Sequence, residues 1–155
     1  LGAIGLGAGC VMGLKGGGTA VLVIGLLGLF GALALLLGGV FRMKKSVPSA
    51  ACYVPAILYY VCKLFYDFRR WMHDPAILDY CFCLFALICF MIATYHAASF
   101  SFDHGGRRRL CFYSLCGVFF GATAMAGQDL SGLLIYGASA CVCLAYAMQA
   151  LGNGK

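Results

Sequence analysis

Long apolar runs separated by short charged stretches are the main pattern along this chain. The clearest run is Thr19–Phe41, which contains no charged side chain. A helix that crosses a hydrocarbon core of about 30 Å needs about 20 apolar residues at roughly 1.5 Å each. The pattern therefore predicts that this run is a transmembrane helix.

The remaining apolar runs predict further spans, whose ends are marked by charged residues, glycines and the Asp74-Pro75 pair. Asp74 suits the N-cap of a helix and Pro75 its first position. We expect one integral-membrane domain over 1–155, an all-α, polytopic transmembrane helical bundle. It has five complete spans and a truncated sixth at the N-terminus. The predicted spans are 1–14 (partial), 19–41, 46–66, 75–100, 110–126 and 130–151.

The end of the second complete span has a different character. From Val61 onward, apolar residues recur at a helical period, while Lys63, Asp67 and Arg70 fall on the other side of the same helix. Lys63 and Asp67 are four residues apart, a spacing at which helical side chains meet. We expect an amphipathic extension over 62–73 that lies at the membrane surface.

Composition agrees with a membrane location. Apolar residues make up 63% of the chain and charged residues only 10%, whereas a soluble domain has about 25% charged residues. These values exclude a soluble globular enzyme, a disordered tail and a module that binds nucleic acid. The expected partner is the lipid bilayer.

The distribution of basic residues predicts the orientation. Seven Lys and Arg residues fall on one side of the predicted bundle and four on the other, so the first side is expected to be cytoplasmic. The chain is then a multi-pass protein of the cell membrane with a cytoplasmic C-terminus. Anchoring and attraction to anionic lipid headgroups suffice to explain this cytoplasmic basic cluster, and recognition of a phosphate-bearing ligand is the alternative. The cluster consists of Arg42, Lys44, Lys45, Arg107, Arg108 and Arg109.

Small residues four positions apart predict where helices pack closely. The pairs are Gly28 with Ala32, Ala93 with Ala97, and Gly117 with Gly121. We favour the last pair, because two bulky phenylalanines occupy the rest of its turn. The alternative for any one pair is that lipid simply tolerates it.

Few residues in the predicted spans could carry chemistry. Asp79 and His96 are the ionisable side chains inside a span, and such groups are often functional because their insertion is costly. Asp79 also suits the start of a helix, and His96, next to Tyr95, also suits a hydrogen bond to a neighbouring helix. About 17 residues separate the two, too far for an acid–base pair on one helix.

The second span offers three more candidates. Pro55 would interrupt that span, and broken helices often bind ligands in transporters, although prolines also occur as plain kinks. Tyr59 and Tyr60 lie deep in the predicted span and need hydrogen-bond partners there. These side chains point to a polar interior near this helix.

Catalytic and metal-binding motifs are missing from the sequence. The ten cysteines include no Cys-x-x-Cys pair, and most lie in apolar runs, where a free thiol acts as a small hydrophobe. No zinc-protease, serine-hydrolase or phosphate-loop motif occurs. We therefore expect no cofactor and no metal site, and an enzyme is the weakest of the functional hypotheses.

Three functions remain open. The first is a small permease, channel or transporter subunit that moves or binds a small molecule. The second is a structural or regulatory subunit that forms a homo-oligomer or docks on a larger membrane complex, and the third is a membrane-embedded enzyme. A polar cavity near Pro55 and His96 would favour the first, and a solid bundle the second.

Overall fold

The computed structural model describes residues 2–13, 19–43, 50–72, 77–100, 106–126 and 128–152. Within these ranges the chain is helical, and no strand occurs. A short 3-10 turn, Ala50–Cys52, precedes the third helix. The helices are α1 (Gly2–Gly13), α2 (Thr19–Met43), α3 (Val54–Trp71), α4 (Ile77–Ser99), α5 (Arg107–Met125) and α6 (Leu130–Gly152).

The helices form a closed ring in chain order. Each helix packs against the next, and α1 packs against α6 to complete the ring. Successive helices run in opposite directions, because the end of α3 meets the start of α4 through stacking of Trp71 on Tyr80. In the same way, the end of α4 meets the start of α5 through His96 and Tyr113. The bundle thus has two ends. The end that carries Arg107–Arg109 is called the arginine end. The opposite end, where α3 ends and α4 begins, is called the cavity end, after the cavity described in the next subsection.

Three of the described helices are long and apolar enough to cross a membrane. Their apolar segments are Val21–Gly38 in α2, Tyr80–Ser99 in α4 and Leu130–Gly152 in α6. This number is smaller than the five complete spans predicted from the sequence. The shortfall concerns α3 and α5, since α3 carries four charged residues in its second half and α5 begins with three arginines.

Helix α3 begins later than predicted. The predicted span 46–66 and the predicted extension 62–73 correspond to one helix, Val54–Trp71. Pro55 lies in its first turn. Proline has no backbone N–H to donate, but a residue in the first turn has no acceptor within the helix anyway, so nothing is lost there. The prediction that Pro55 interrupts a span is therefore wrong.

The two faces of α3 point in unexpected directions. Phe65 is 69% exposed, and Leu58, Phe68 and Met72 are also exposed on the outside of the bundle. Asp67, on the charged face, is buried among the helices. A soluble protein buries the apolar face of an amphipathic helix. In α3, Leu64 and Trp71 pack against the core, whereas Phe65 points outward. Lys63 and Asp67 thus face the interior of the bundle, and the position of 62–73 at the membrane surface stays a prediction.

Small residues allow the helices to approach closely. Gly117 and Gly121 lie against the ring of Phe90, and a Cβ atom at Gly121 would come within 2.9 Å of that ring. Ala93 and Ala97 of α4 are also buried, as is Ala32 of α2. Gly28 of α2 is the tightest position among the described glycines: a Cβ atom there would collide with Cys10 Sγ and would lie 2.8 Å from the Tyr59 ring.

We expect Gly28→Ala to destabilise the bundle by about 1–3 kcal/mol, the usual range for overpacking a core. The buried Tyr59 ring leaves no room for the added methyl group. Thermal unfolding of the purified protein in detergent measures the change.

Gly38→Ala on the same helix is the matched control. Its Cβ atom would lie 3.9 Å from Cys52 Cβ, an ordinary contact, and alanine is the better helix former. Equal stability of the two variants would contradict the tight packing of α2 on Tyr59.

Candidate binding cavity

A cavity of about 520 Å³ opens at the cavity end, between α1, α2, α3 and α6. Its volume lies in the range of small-molecule sites, about 300–1,000 Å³. Polar and aromatic side chains form much of the wall. The lining residues are Cys10, Met12, Val21, Ile24, Gly25, Tyr59, Lys63, Tyr66, Asp67, Arg70, Trp71, Gln128, Asp129, Ser131, Gly132, Ile135 and Tyr136.

An ion pair lies in the wall of the cavity. Lys63 Nζ donates to Asp67 Oδ2 at 2.8 Å, and the two side chains are only 17% and 7% exposed. The pair joins consecutive turns of α3, which places both charges on the same inward face. Arg70 and Asp129 also line the cavity but are exposed, so they mark its mouth.

Tyr136 contributes a buried hydroxyl group that makes no hydrogen bond of good geometry within the described ranges. The residue lines the cavity and is 1% exposed. Its hydroxyl makes no hydrogen bond of good geometry to any described residue, although the Cys83 thiol and the Asp67 carboxylate lie close enough to act on it electrostatically. Buried polar groups are nearly always paired, so this hydroxyl is suited to a water molecule or a ligand atom.

Two tyrosines close the inner end of the cavity. Tyr59 Oη accepts a hydrogen bond from the Cys10 thiol at 3.6 Å, and Tyr60 Oη donates to Ser139 Oγ at 3.0 Å. The Tyr60–Ser139 bond links α3 to α6 across the ring. Both tyrosines are fully buried, and Tyr60 also packs against Phe90. Along α3 these two residues, called the tyrosine layer, lie between Pro55 and the charged residues of the cavity.

The opposite wall is held by weaker polar contacts. Gln128 Nε2 donates to Cys83 Sγ at 3.3 Å, and the Cys83 thiol lies 4.0 Å from the Ala124 carbonyl oxygen. The amide of Gln128 thus ties the start of α6 to α4. Trp71 stacks on Tyr80 with a centroid distance of 4.4 Å, which fixes the rim on the α3 side.

The residues that the sequence suggested as ligand contacts do not all lie at the cavity. Tyr59 lines the cavity, and Tyr60 lies next to it in the tyrosine layer. Pro55 and His96 are toward the arginine end. His96 stacks on Tyr113 at 5.4 Å, and its neighbour Tyr95 is 62% exposed.

Several of the predicted residues fall outside what the structure describes. The side chains of Asp79 and Arg42 lie outside the described part of the chain, as do Lys44 and Lys45. Within the basic cluster, Arg107, Arg108 and Arg109 are described, and all three are exposed at the start of α5.

The charged residues of the cavity were not recognised from the sequence as a site. Their helical spacing is visible in the sequence, but it predicts only an amphipathic helix at the membrane surface for Lys63, Asp67 and Arg70. One feature of the sequence could have indicated the site. It is the four-residue spacing of a lysine and an aspartate in one segment, while the segments before and after it along the chain are strongly apolar. Tyr136 and Gln128 gave no such signal, because only the ring of helices brings them to this helix face.

The described ranges contain neither a cluster of metal ligands nor a disulfide. No group of three or more His, Cys, Asp or Glu side chains that could hold a metal ion occurs there. The cysteines are free thiols. The groups that line the cavity are charged, hydroxyl, amide, aromatic and apolar side chains.

Asp67→Leu should destabilise the protein by about 3 kcal/mol, the lower end of the range for breaking a buried ion pair. The variant leaves the Lys63 ammonium in the interior without its partner. The fall in the thermal unfolding midpoint in detergent measures this effect.

The double variant Lys63→Met/Asp67→Leu is the control for that prediction. Replacing both charges by apolar groups removes the unpaired ammonium, so stability should return close to that of the unchanged chain. A double variant as unstable as Asp67→Leu would contradict the buried pairing.

Comparisons with protein families, curated proteins and solved structures found no match to this chain. Its function therefore has to be inferred from the chemistry of its own side chains.

Proposed function

We propose that this chain is a multi-pass membrane protein that binds a small polar molecule in its cavity, as a permease or transporter-type subunit does. The observation that carries the proposal is the position of the Lys63–Asp67 pair, which lines a cavity inside an otherwise apolar bundle. Ionisable groups within membrane helices characteristically face such cavities and mark ligand pathways.

The proposal includes α3 and α5 as membrane-embedded helices. Exposed apolar residues cover the outside of these helices, among them Phe65, Phe68, Phe112 and Phe119. Contiguous apolar surface of this kind is unfavourable in water and suits contact with lipid. The charges of α3 are compatible with that position because Lys63 and Asp67 neutralise each other in the interior.

The orientation of the cavity follows from the basic residues. The arginine end carries Arg107–Arg109, and basic loops favour the cytoplasmic side. In this arrangement the C-terminus is cytoplasmic, and the cavity opens on the opposite face of the membrane. The tyrosine layer then closes the path to the cytoplasm, as in the outward-open state of a transporter.

The alternative of a purely structural subunit has less support. That hypothesis predicts a solid bundle, whereas the described helices enclose a polar cavity.

The cavity does not lie near Pro55 and His96, where a transport site was expected, but at the other end of the bundle.

Screening metabolite pools against the purified full chain in lipid nanodiscs tests the proposal. Trp71 is the single tryptophan of the sequence and lines the cavity, so a bound molecule should change its fluorescence. At least one pool of small polar molecules should both shift this signal saturably and raise the unfolding temperature.

Ser131→Phe should abolish that response, because the larger ring enters the cavity from the first turn of α6. Leu133→Phe, which changes an exposed residue two positions away on the same helix, should leave it intact. An unchanged response in Ser131→Phe, or no response to any pool in the unchanged chain, would overturn the proposed function.

A further inference from the structure

The cavity described above contains charges of both signs at close range. Two basic residues, Lys63 and Arg70, and two acidic residues, Asp67 and Asp129, line it, so its formal charges balance. A ligand with a net charge would add an uncompensated charge to a low-dielectric interior, which is strongly unfavourable. The balance therefore favours a ligand whose own charges also sum to zero.

We infer that the ligand is a zwitterion of the amino-acid type, with an ammonium group, a carboxylate group and an apolar side chain. This inference rests on the proposed function of the cavity and specifies its ligand. The carboxylate of the ligand pairs with Lys63, and its ammonium group pairs with Asp67.

The Lys63–Asp67 pair has unused hydrogen-bonding capacity for such a ligand. Lys63 has three N–H donors and the Asp67 carboxylate about four acceptor positions, and the bond of 2.8 Å between them uses one of each. The two ends of a zwitterion can thus add to the pair with their charges reversed. Each of the four charged groups then contacts two of opposite sign.

The rest of the wall suits the remaining parts of the same molecule. Val21, Ile24 and Ile135 provide an apolar surface for its side chain. The hydroxyl of Tyr136, which lacks a partner among the described residues, is available for one of its polar atoms. Arg70 at the mouth supports entry of the carboxylate end.

Leucine and two of its analogues test the inference directly. The Trp71 fluorescence of the full chain in nanodiscs is titrated with L-leucine, with 3-methylbutylamine, which lacks the carboxylate, and with 4-methylpentanoate, which lacks the ammonium group. L-Leucine should bind at least about ten-fold more tightly than either analogue, because each analogue forfeits a charge-assisted hydrogen bond.

Tyr136→Phe adds a second, independent readout. Loss of the hydroxyl should weaken L-leucine binding by about five-fold, the effect of one ordinary hydrogen bond, and should raise the unfolding temperature of the ligand-free protein, because an unpaired buried hydroxyl is removed. Tyr113→Phe, which changes a tyrosine that does not line the cavity, should leave L-leucine affinity unchanged.

The outcomes separate the two levels of the proposal. Analogues that bind as tightly as L-leucine, or a neutral polyol that binds while L-leucine does not, would overturn the zwitterion inference and leave a binding cavity in place. A failure of L-leucine, its analogues and all metabolite pools to change Trp71 fluorescence would overturn both the inference and the proposed function.

Discussion

The ion pair between Lys63 and Asp67 is the interaction on which the interior of this bundle depends. Two unpaired charges could not stay among apolar helices, because each would lose several kcal/mol of hydration. As a pair on one face of α3 they are mutually neutralised at 2.8 Å, and this allows the charged face to turn inward. The apolar face of the same helix, with Phe65 at its centre, is then left outside.

The inward position of the charged face accounts for the polar wall of the cavity at this end of the bundle. At the level of Phe90, which packs on Tyr60, Gly117 and Gly121 let α5 approach α4 closely. At the level of Tyr59 and Tyr60, hydrogen bonds to Cys10 and Ser139 satisfy the hydroxyl groups across the ring. Beyond that layer the charged and polar side chains keep the helices apart, and a cavity of about 520 Å³ remains.

Much of the fold follows from local sequence pattern, and the site does not. The long apolar runs predict α2, α4 and α6 closely, because each run holds about the 20 residues that a helix needs to cross a hydrocarbon core. Pattern alone could not tell which face of α3 points inward, since its period is the same whether Asp67 meets water or the interior. The prediction for Pro55 is wrong because the effect of a proline depends on where the helix begins, and Pro55 lies in the first turn of α3. Tyr136 is distant from α3 in the sequence and joins the site only through closure of the ring.

Quenching of single tryptophans on neighbouring positions of α3 tests the orientation of this helix most directly. In a Trp71→Phe background, Phe65→Trp and Tyr66→Trp are each placed in nanodiscs that contain brominated lipid or are exposed to acrylamide in water. The account predicts that lipid bromine quenches the tryptophan at position 65 and that acrylamide quenches the one at position 66, which lines the cavity. Acrylamide quenching at position 65 together with lipid quenching at position 66 would contradict it.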